Sequence, residues 1–282
     1  MSTPRPAQYG GRLELHAHTH FSDGLLSPAD LVERALEAGI TALAITDHDS
    51  VEGIAPAIEA AAGRIEIVPG IEVSSSFEGM DLHILGYFID PHSQPLLAAL
   101  ERFRVERRER AVAIMARLAE LGVPVDADEV FAAAGPGVVG RPHVAHALLK
   151  AGYVPTVDLA FQRYLGARGS AFVPRPEFPS SEAVRVIGEA GGVAVLAHPG
   201  ALPRRIIETL AEAGLAGVEV WHPQHGAAAQ KRWYETAKDL GLVPSGGADF
   251  HGPHRGAGIG DMAVPPRTLE DLRSRAPGRA PH

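Results

Sequence analysis

The chain has 282 residues, 45% of them apolar and 6% aromatic, the balance of a globular, aliphatic-cored enzyme long enough for one large domain or two small ones. It has no cysteine, which excludes disulfides, zinc–thiolate fingers, iron–sulfur clusters and thiol nucleophiles and leaves nitrogen and oxygen to hold any metal. A formal charge of -8 with the histidines neutral argues against broad attraction to duplex nucleic acid, and the N-terminal segment has no apolar stretch behind a charged start, so a cytoplasmic protein with no membrane association is expected.

Residues 1–11, polar and rich in proline and glycine, are expected to be disordered. Then come alternating short apolar strands and amphipathic helices: Leu13–Leu15, Pro28–Ala38, Thr41–Ile45, Val51–Ala62 and Ile65–Val68, a pattern that predicts parallel pairing with crossovers. Ser27 before Pro28 reads as an N-cap with proline at the first helical position, and Gly39 closes that helix. A further apolar segment, Leu82–Phe88, carries His83. From about Pro95 to Gly169 the periodicity is helical throughout, beginning with a charged helix over Glu101–Leu121. Strand signals return at Val193–Ala197, Gly217–Trp221 and Val243–Ala248, with helices near Ser181–Ala190, Pro203–Ala213 and Ala227–Leu240 between them. The expected organisation is a barrel from residues 12–94 and 170–265, a helical insertion over 95–169 projecting as a cap, and a tail over 266–282, disordered from Arg275 onward.

Potential metal ligands punctuate both strand blocks: His16, His18, Asp23, His48, Glu72, His83, His198, Asp249 and His251. His16 and His18 are two residues apart on a strand, so both side chains leave the same face and can grip one cation. The ligands follow apolar strand signals, and in parallel barrels the C-terminal strand ends form the active face. Because ligands lie on both sides of the insertion, the two flanking blocks must fold into one metal-binding body. Neutral imidazoles and carboxylates suit manganese, iron or zinc. Nine ligands are too many for one ion and point to two or three, with Glu72 as the expected bridge. A hydroxide held between such cations is nucleophilic at neutral pH, and the same cations accept charge from a phosphoryl oxygen. Glu72, Asp249 and His198 are therefore the expected catalytic set, with His198 as proton donor to the leaving oxygen if it is not a ligand and His222, His225 and His254 as weaker alternatives.

The runs His16-Ala17-His18, Thr46-Asp47-His48-Asp49, Gly70-Ile71-Glu72, His83-Ile84-Leu85-Gly86-Tyr87, Ala197-His198-Pro199 and Ala248-Asp249-Phe250-His251-Gly252 together resemble the polymerase and histidinol phosphatase superfamily. The resemblance spans the chain from Arg12 to about Met262 and implies an α/β fold, a distorted seven-stranded βα barrel with a trinuclear metal site. It implies one ion on His16, His18, Glu72 and Asp249, a second on Glu72, His83 and His198, and a third on Asp23, His48 and His251. Gly140-Arg141-Pro142-His143 and Phe172-Val173-Pro174-Arg175 are similar to the TrpH-like branch, whose members include a nucleoside 3′,5′-bisphosphate phosphatase and a 5′-to-3′ exoribonuclease acting on short RNA. By that similarity Arg141 and Arg175 reach substrate phosphate, which a guanidinium fork suits, and the helical cap covers the nucleoside. Ala248 departs from the serine expected there, which removes no ligand.

The leading expectation is thus phosphoester hydrolysis on a nucleotide or the 5′ end of a short single-stranded RNA, using two to three divalent ions, manganese foremost, and no obligate protein partner. Hydrolysis of a small metabolite such as histidinol phosphate, and a module in which metal only stabilises the fold, are the alternatives. Arg104, Arg107 and Arg108 share a helical face that reads better as a solvated, salt-bridged surface with neighbouring glutamates than as an anion groove. His143 and His146 stand at even odds between substrate contact and packing, Trp221 and Trp233 are expected in the core, and Gly246-Gly247 is expected to permit close backbone approach beside the metals.

Overall fold

The computed structural model describes residues 11–135, 138–174, 176–253 and 256–277. A seven-stranded sheet runs in chain order: β1 (Arg12–Glu14), β2 (Ile40–Ile45), β3 (Glu66–Phe77), β4 (Met80–Tyr87), β5 (Val193–Leu196), β6 (Gly217–Trp221) and β7 (Val243–Gly246). An isolated parallel bridge, Ala17 with Phe250, joins the chain beyond β1 to the chain beyond β7 at the end where the histidines gather.

The expected all-parallel pairing is corrected at β3 and β4, which form an antiparallel hairpin (Gly70–Phe77 against Tyr87–Met80), and β4 also runs antiparallel to β5. Pro69-Gly70 looks like the end of a strand, yet β3 passes through it. The pair marks the handover at which β3 leaves its parallel partner β2 (Glu66–Pro69 against Ala42–Ile45) for β4. Gly70 is required there, because a Cβ would lie 2.9 Å from the Ile45 carbonyl oxygen and 3.0 Å from that of Gly86. The hairpin turns on Glu78 and Gly79, both at positive φ (50° and 77°), the geometry of a tight primed turn. Glu72 therefore sits inside β3 and His83 inside β4 rather than after strand ends. The reversal of β4 is what brings His83 to the active face.

Strand residues alternate between two cores. Leu13, Ala42, Ala44, Val68, Leu85 and Val195 face one, and Leu43, Ile45, Ile71, Ile84, Leu196 and Val218 face the other, against the flanking helices. Those helices are α1 (Pro28–Glu37), α2 (Ile54–Ala61), α7 (Ser180–Glu189), α8 (Arg204–Glu212) and α9 (Ala227–Leu240). Trp233 of α9 is fully buried and donates its indole N–H to the Gly200 carbonyl (3.2 Å), while Trp221 is half-buried beside Tyr234. The tail expectation is corrected too: α10 (Arg267–Arg275) is a helix whose Leu269 and Leu272 close the first of these cores, and Ala276 after it is buried. Leu269 and Leu272 lie three apart on one helical face, a signal masked by the arginine- and proline-rich residues around them. Residues 278–282 lie outside the described part.

At the head of α1, the Ser27 side chain accepts the Asp30 N–H (3.1 Å) and donates to the Asp30 carboxylate (2.6 Å). Ser27→Ala is expected to cost about 1 kcal/mol, read as a lowered urea midpoint with an unchanged slope.

Between β4 and α7 the described elements are all helical: α3 (Gln94–Glu120), α4 (Ala127–Ala134), α5 (Arg141–Lys150), α6 (Val157–Ala160) and a π-turn over Phe161–Leu165. Leu96, Leu100 and Phe103 at the start of α3 join the core between the sheet and its flanking helices, whereas Ala111, Ile114 and Leu118 join a separate cluster with Val130, Val144 and Leu148. One long helix thus ties the helical layer to the sheet.

Candidate metal centre

Beyond β1 the chain stays extended, and His18 N donates to the Phe250 carbonyl (2.9 Å) while Phe250 N donates to that of His16 (3.1 Å). This clasp brings His16-Ala17-His18 beside Asp249-Phe250-His251. Close approach needs Gly247, since a Cβ there would fall 2.4 Å from His16 Cβ, as expected of the glycine pair. Asp49, His198 and Asp249 have left-handed backbone (φ 51°, 25° and 50°), strain of the kind that accumulates where side chains must be aimed.

Glu72, fully buried, is the hub. Its Oε2 lies 3.2 Å from His16 Nε2, 3.2 Å from His18 Nε2 and 3.1 Å from His48 Nδ1. Its Oε1 lies 2.9 Å from His83 Nδ1 and 3.0 Å from His198 Nε2. Asp249 Oδ1 stands 3.3 and 3.1 Å from the Nε2 atoms of His16 and His18, and Asp23 Oδ1 stands 3.1 Å from His251 Nε2. All nine expected residues therefore meet in one place. Three of the groups that could hold a cation are His16, His18, Glu72 and Asp249; His18, Asp23, His48 and His251; and His48, Glu72 and His83. The first matches the expected set. In the other two, His18 and His48 are shared between neighbouring groups, and His198 reaches Glu72 from the far side.

The supporting residues were mostly invisible in the sequence. Glu219 of β6 accepts the His16 Nδ1–H (3.0 Å) and the His198 backbone N–H (2.7 Å), which fixes the tautomer that leaves His16 Nε2 free for a cation. His251 donates Nδ1–H to the Asp249 carbonyl (2.8 Å), with the same consequence. Asp47 accepts from Thr19 N (2.6 Å) and from the hydroxyls of Thr19 (2.7 Å) and Ser22 (2.7 Å), stiffening the turn that carries His18 and Asp23. Glu14 takes N–H groups from Ala248 (2.8 Å), Gly260 (2.8 Å) and His16 (3.2 Å), and burial pushes it up to about 7 against those donors. The signal that could have found Glu14 and Glu219 is a single carboxylate inside an otherwise apolar strand, Leu-Glu-Leu and Val-Glu-Val.

The donor set fits divalent cations. His18 Nε2 and His48 Nδ1 are buried, lie close to carboxylate oxygens and make no well-formed hydrogen bond. Burial drives His48 down to about 3. It also opposes the charge on His18, yet Asp249 and Glu72 outweigh it and raise His18 to about 10. Burial likewise works against ionised Glu72, but His48, His16 and His83 hold its carboxyl well below the usual range. Concentrated negative charge facing imidazole nitrogens is the environment that cations, not protons, fill best.

Beside this cluster lies a cavity of about 150 Å³ whose lining includes Asp23, His48 and His83 together with Arg107, Arg110 and Arg141. The Arg141 guanidinium lies 5.8 Å from the Phe161 ring centre. The solvated-face reading of the α3 arginines is corrected for Arg107: it pairs with Asp49 and donates to Ser74 Oγ (2.8 Å), because the i, i+3 face of α3 packs over the active end of the sheet. Arg104 pairs with Glu52 and lies near Glu101, and Arg108 stacks on Phe131. His143 accepts the Gly140 N–H (3.0 Å), and exposed His146 contacts the Pro142 carbonyl (2.8 Å). His225 has both ring nitrogens committed, to the Val220 carbonyl (3.0 Å) and the Gly200 N–H (3.2 Å), leaving no proton to give. Arg175 and His254 lie outside the described residues.

The PHP domain family model matches residues 14–123. A 5′-3′ exoribonuclease of Haemophilus influenzae is 36% identical over 249 residues, covering 86% of this chain and 90% of that protein. A 3′,5′-nucleoside bisphosphate phosphatase of Chromobacterium violaceum is 35% identical over 252 residues, covering 86% and 88%. A solved structure from Bifidobacterium adolescentis superposes with a TM-score of 0.88 at 30% identity, over 96% of this chain and 98% of that one. With a PHP domain match and relatives more than 30% identical that are matched over nearly their whole length, the chain belongs to the PHP family.

Proposed function

We propose that this hydrolase of the PHP family cleaves phosphate esters of nucleotides, releasing phosphate from a nucleoside 3′,5′-bisphosphate, mononucleotides from the 5′ end of a short single-stranded RNA, or both. The cavity carries the reading. Its lining combines Asp23, His48 and His83 with Arg107, Arg110 and Arg141, so one phosphate group of a substrate can face the histidines while a second meets a guanidinium group. Phosphoester hydrolysis is also what the names of the two relatives share.

His16, His18, Asp23, His48, Glu72, His83, His198, Asp249 and His251 would hold two to three divalent ions, manganese foremost with zinc or iron as alternatives. Bound there, such ions supply a water that is nucleophilic at neutral pH and a sink for charge on the phosphoryl oxygen. Glu72 and Asp249 aim the histidines, and His198, whose side chain is 23% exposed at the edge of the cluster, is placed to hold a proton for the leaving oxygen where it holds no ion. Arg141, with Arg175 and His143, binds the substrate. Residues 95–169 act as a cap on the barrel formed by 12–94 and 170–265, enclosing the nucleoside against Phe161 and Ile114. No helix among the described residues is long and apolar enough to cross a membrane; together with the lack of cysteine, this supports a cytoplasmic setting.

The test is product analysis with manganese-loaded protein and three substrates in parallel: adenosine 3′,5′-bisphosphate, a 5′-phosphorylated short RNA and histidinol phosphate. AMP and mononucleotides are expected; turnover of histidinol phosphate alone would overturn the proposal. Arg141→Ala is expected to lower kcat/KM for the bisphosphate by about tenfold to a hundredfold, the scale of one lost charge-assisted contact, with little effect on an aryl phosphate. Equal losses on both substrates would remove Arg141 from substrate recognition.

A further inference from the structure

We propose that His222, outside the nine residues of the expected metal set, is a positioning residue that orients Asp249 by donating its Nε2–H to the outer carboxylate oxygen. The inference rests on the metal-centre reading but not on the identity of the substrate. His222 follows β6 directly and is 1% exposed, so water does not satisfy it. Its Nδ1 accepts the Gln224 backbone N–H (3.2 Å), which places the proton of the neutral ring on Nε2. That Nε2 makes no well-formed hydrogen bond among the described residues, and the nearest carboxylate oxygen it faces is Asp249 Oδ2 at 3.4 Å.

Asp249 divides its two oxygens. Oδ1 stands 3.3 Å from His16 Nε2 and 3.1 Å from His18 Nε2, where a shared cation would sit, and Oδ2 looks back at His222. The left-handed backbone of Asp249 (φ 50°) fixes where its side chain starts, and a donor on Oδ2 fixes how the carboxylate is turned. A nitrogen that carries a proton has no lone pair for a metal. His222 could otherwise group with His16 and Glu219 as a ligand set, but Glu219 already takes the His16 Nδ1 proton, so those atoms are spent on orientation. The two carboxylates are thus used in opposite senses: Glu219 aims a histidine at the ion, and His222 aims a carboxylate at it.

The experiment is manganese titration of the metal-free full chain, with free ion followed by electron paramagnetic resonance and bound ion counted after equilibrium dialysis. It compares the unmodified protein with His222→Asn and His222→Gln. Asparagine keeps an acceptor near the Nδ1 position, so the local turn to Gln224 survives, but it is too short to reach Asp249. Glutamine reaches it with an amide N–H. The expected result is an unchanged number of ions at saturation, one of them bound about tenfold to a hundredfold more weakly in the asparagine variant, and most of that loss restored in the glutamine variant. Unchanged affinity in His222→Asn would overturn the proposal. So would loss of one whole ion equivalent in both variants, which would make His222 a ligand. Because the readout is metal affinity, a negative result on nucleotide turnover leaves this test intact, and the two readings fail separately.

Discussion

Glu72→Ala is expected to lower kcat by about a thousandfold or more and to strip metal from the chain, an effect at the upper end of what removing one preorganised charged group costs. The reason is its position rather than its charge alone. Five imidazole nitrogens, from His16, His18, His48, His83 and His198, lie 2.9–3.2 Å from its two oxygens, and it is fully buried. No other carboxylate among the described residues lies within ion-pair distance of the ring nitrogens of all of His16, His18, His83 and His198. Its loss therefore removes a ligand atom from two of the groups that could hold a cation and leaves those histidines facing one another. Glu72→Gln is expected to do nearly as much damage, since it keeps the shape and a hydrogen-bonding oxygen but not the negative charge that would balance bound cations. Bound metal per chain by inductively coupled plasma mass spectrometry and kcat at saturating manganese check this together. Full metal content in Glu72→Ala, or turnover within tenfold of the unmodified protein, would show that Glu72 does not hold the metal.

The parts of this site that the sequence discloses are those whose chemistry is carried by short spacing. His16 and His18 share a strand face because side chains alternate, and Asp249 and His251 repeat the device at the other end of the sheet. That ligands flank the helical stretch forces the two strand blocks into one body, and the sheet order from β1 to β7 follows. What stays hidden depends on pairing partners that no local window contains. β3 reads as ending at Val68 because Pro69-Gly70 is a strong stop signal, whereas in the fold it marks a change of neighbour from β2 to β4. The roles of Glu14 and Glu219 depend on which face of a short strand turns inward, and that of Arg107 on where one turn of a 27-residue helix comes to rest. α10 is obscured by its own surroundings, where two leucines among charged residues are enough to dock a helix once the sheet is there to receive it.

Arg107→Met is expected to destabilise the protein by about 3–5 kcal/mol, the cost of leaving a buried charge without its partner, and to raise KM. Asp49 has a side chain only 1% exposed and sits next to His48 at a left-handed backbone position (φ 51°). Its oxygens accept the Ser74 N–H (2.7 Å) and the Arg107 Nε–H (2.9 Å), with Nη2 of Arg107 also in contact. Burial disfavours the ionised carboxyl, but Arg107 and the Ser74 N–H outweigh it and hold the group below its ordinary value of 3.8. A carboxyl depressed in the folded state stabilises the fold above the unfolded value and loses that contribution as pH falls through the folded one. Acid unfolding of the unmodified protein should therefore have a component below about pH 4 that Arg107→Met lacks. The stabilising pair also runs between two layers, with Arg107 on α3 and Asp49 in the loop that aims His48, so the helices over the cavity are anchored to the metal centre through this contact. Asp49→Asn in the Arg107→Met background is expected to recover part of the loss, because a neutral amide needs no counter-charge, giving a coupling energy of about 1–3 kcal/mol in a double-mutant cycle. Urea midpoints of the four proteins, measured metal-free and manganese-loaded, decide it: single-variant losses under about 1 kcal/mol that simply add would mean that Arg107 faces the cavity for substrate alone and does not hold the helical layer to the sheet.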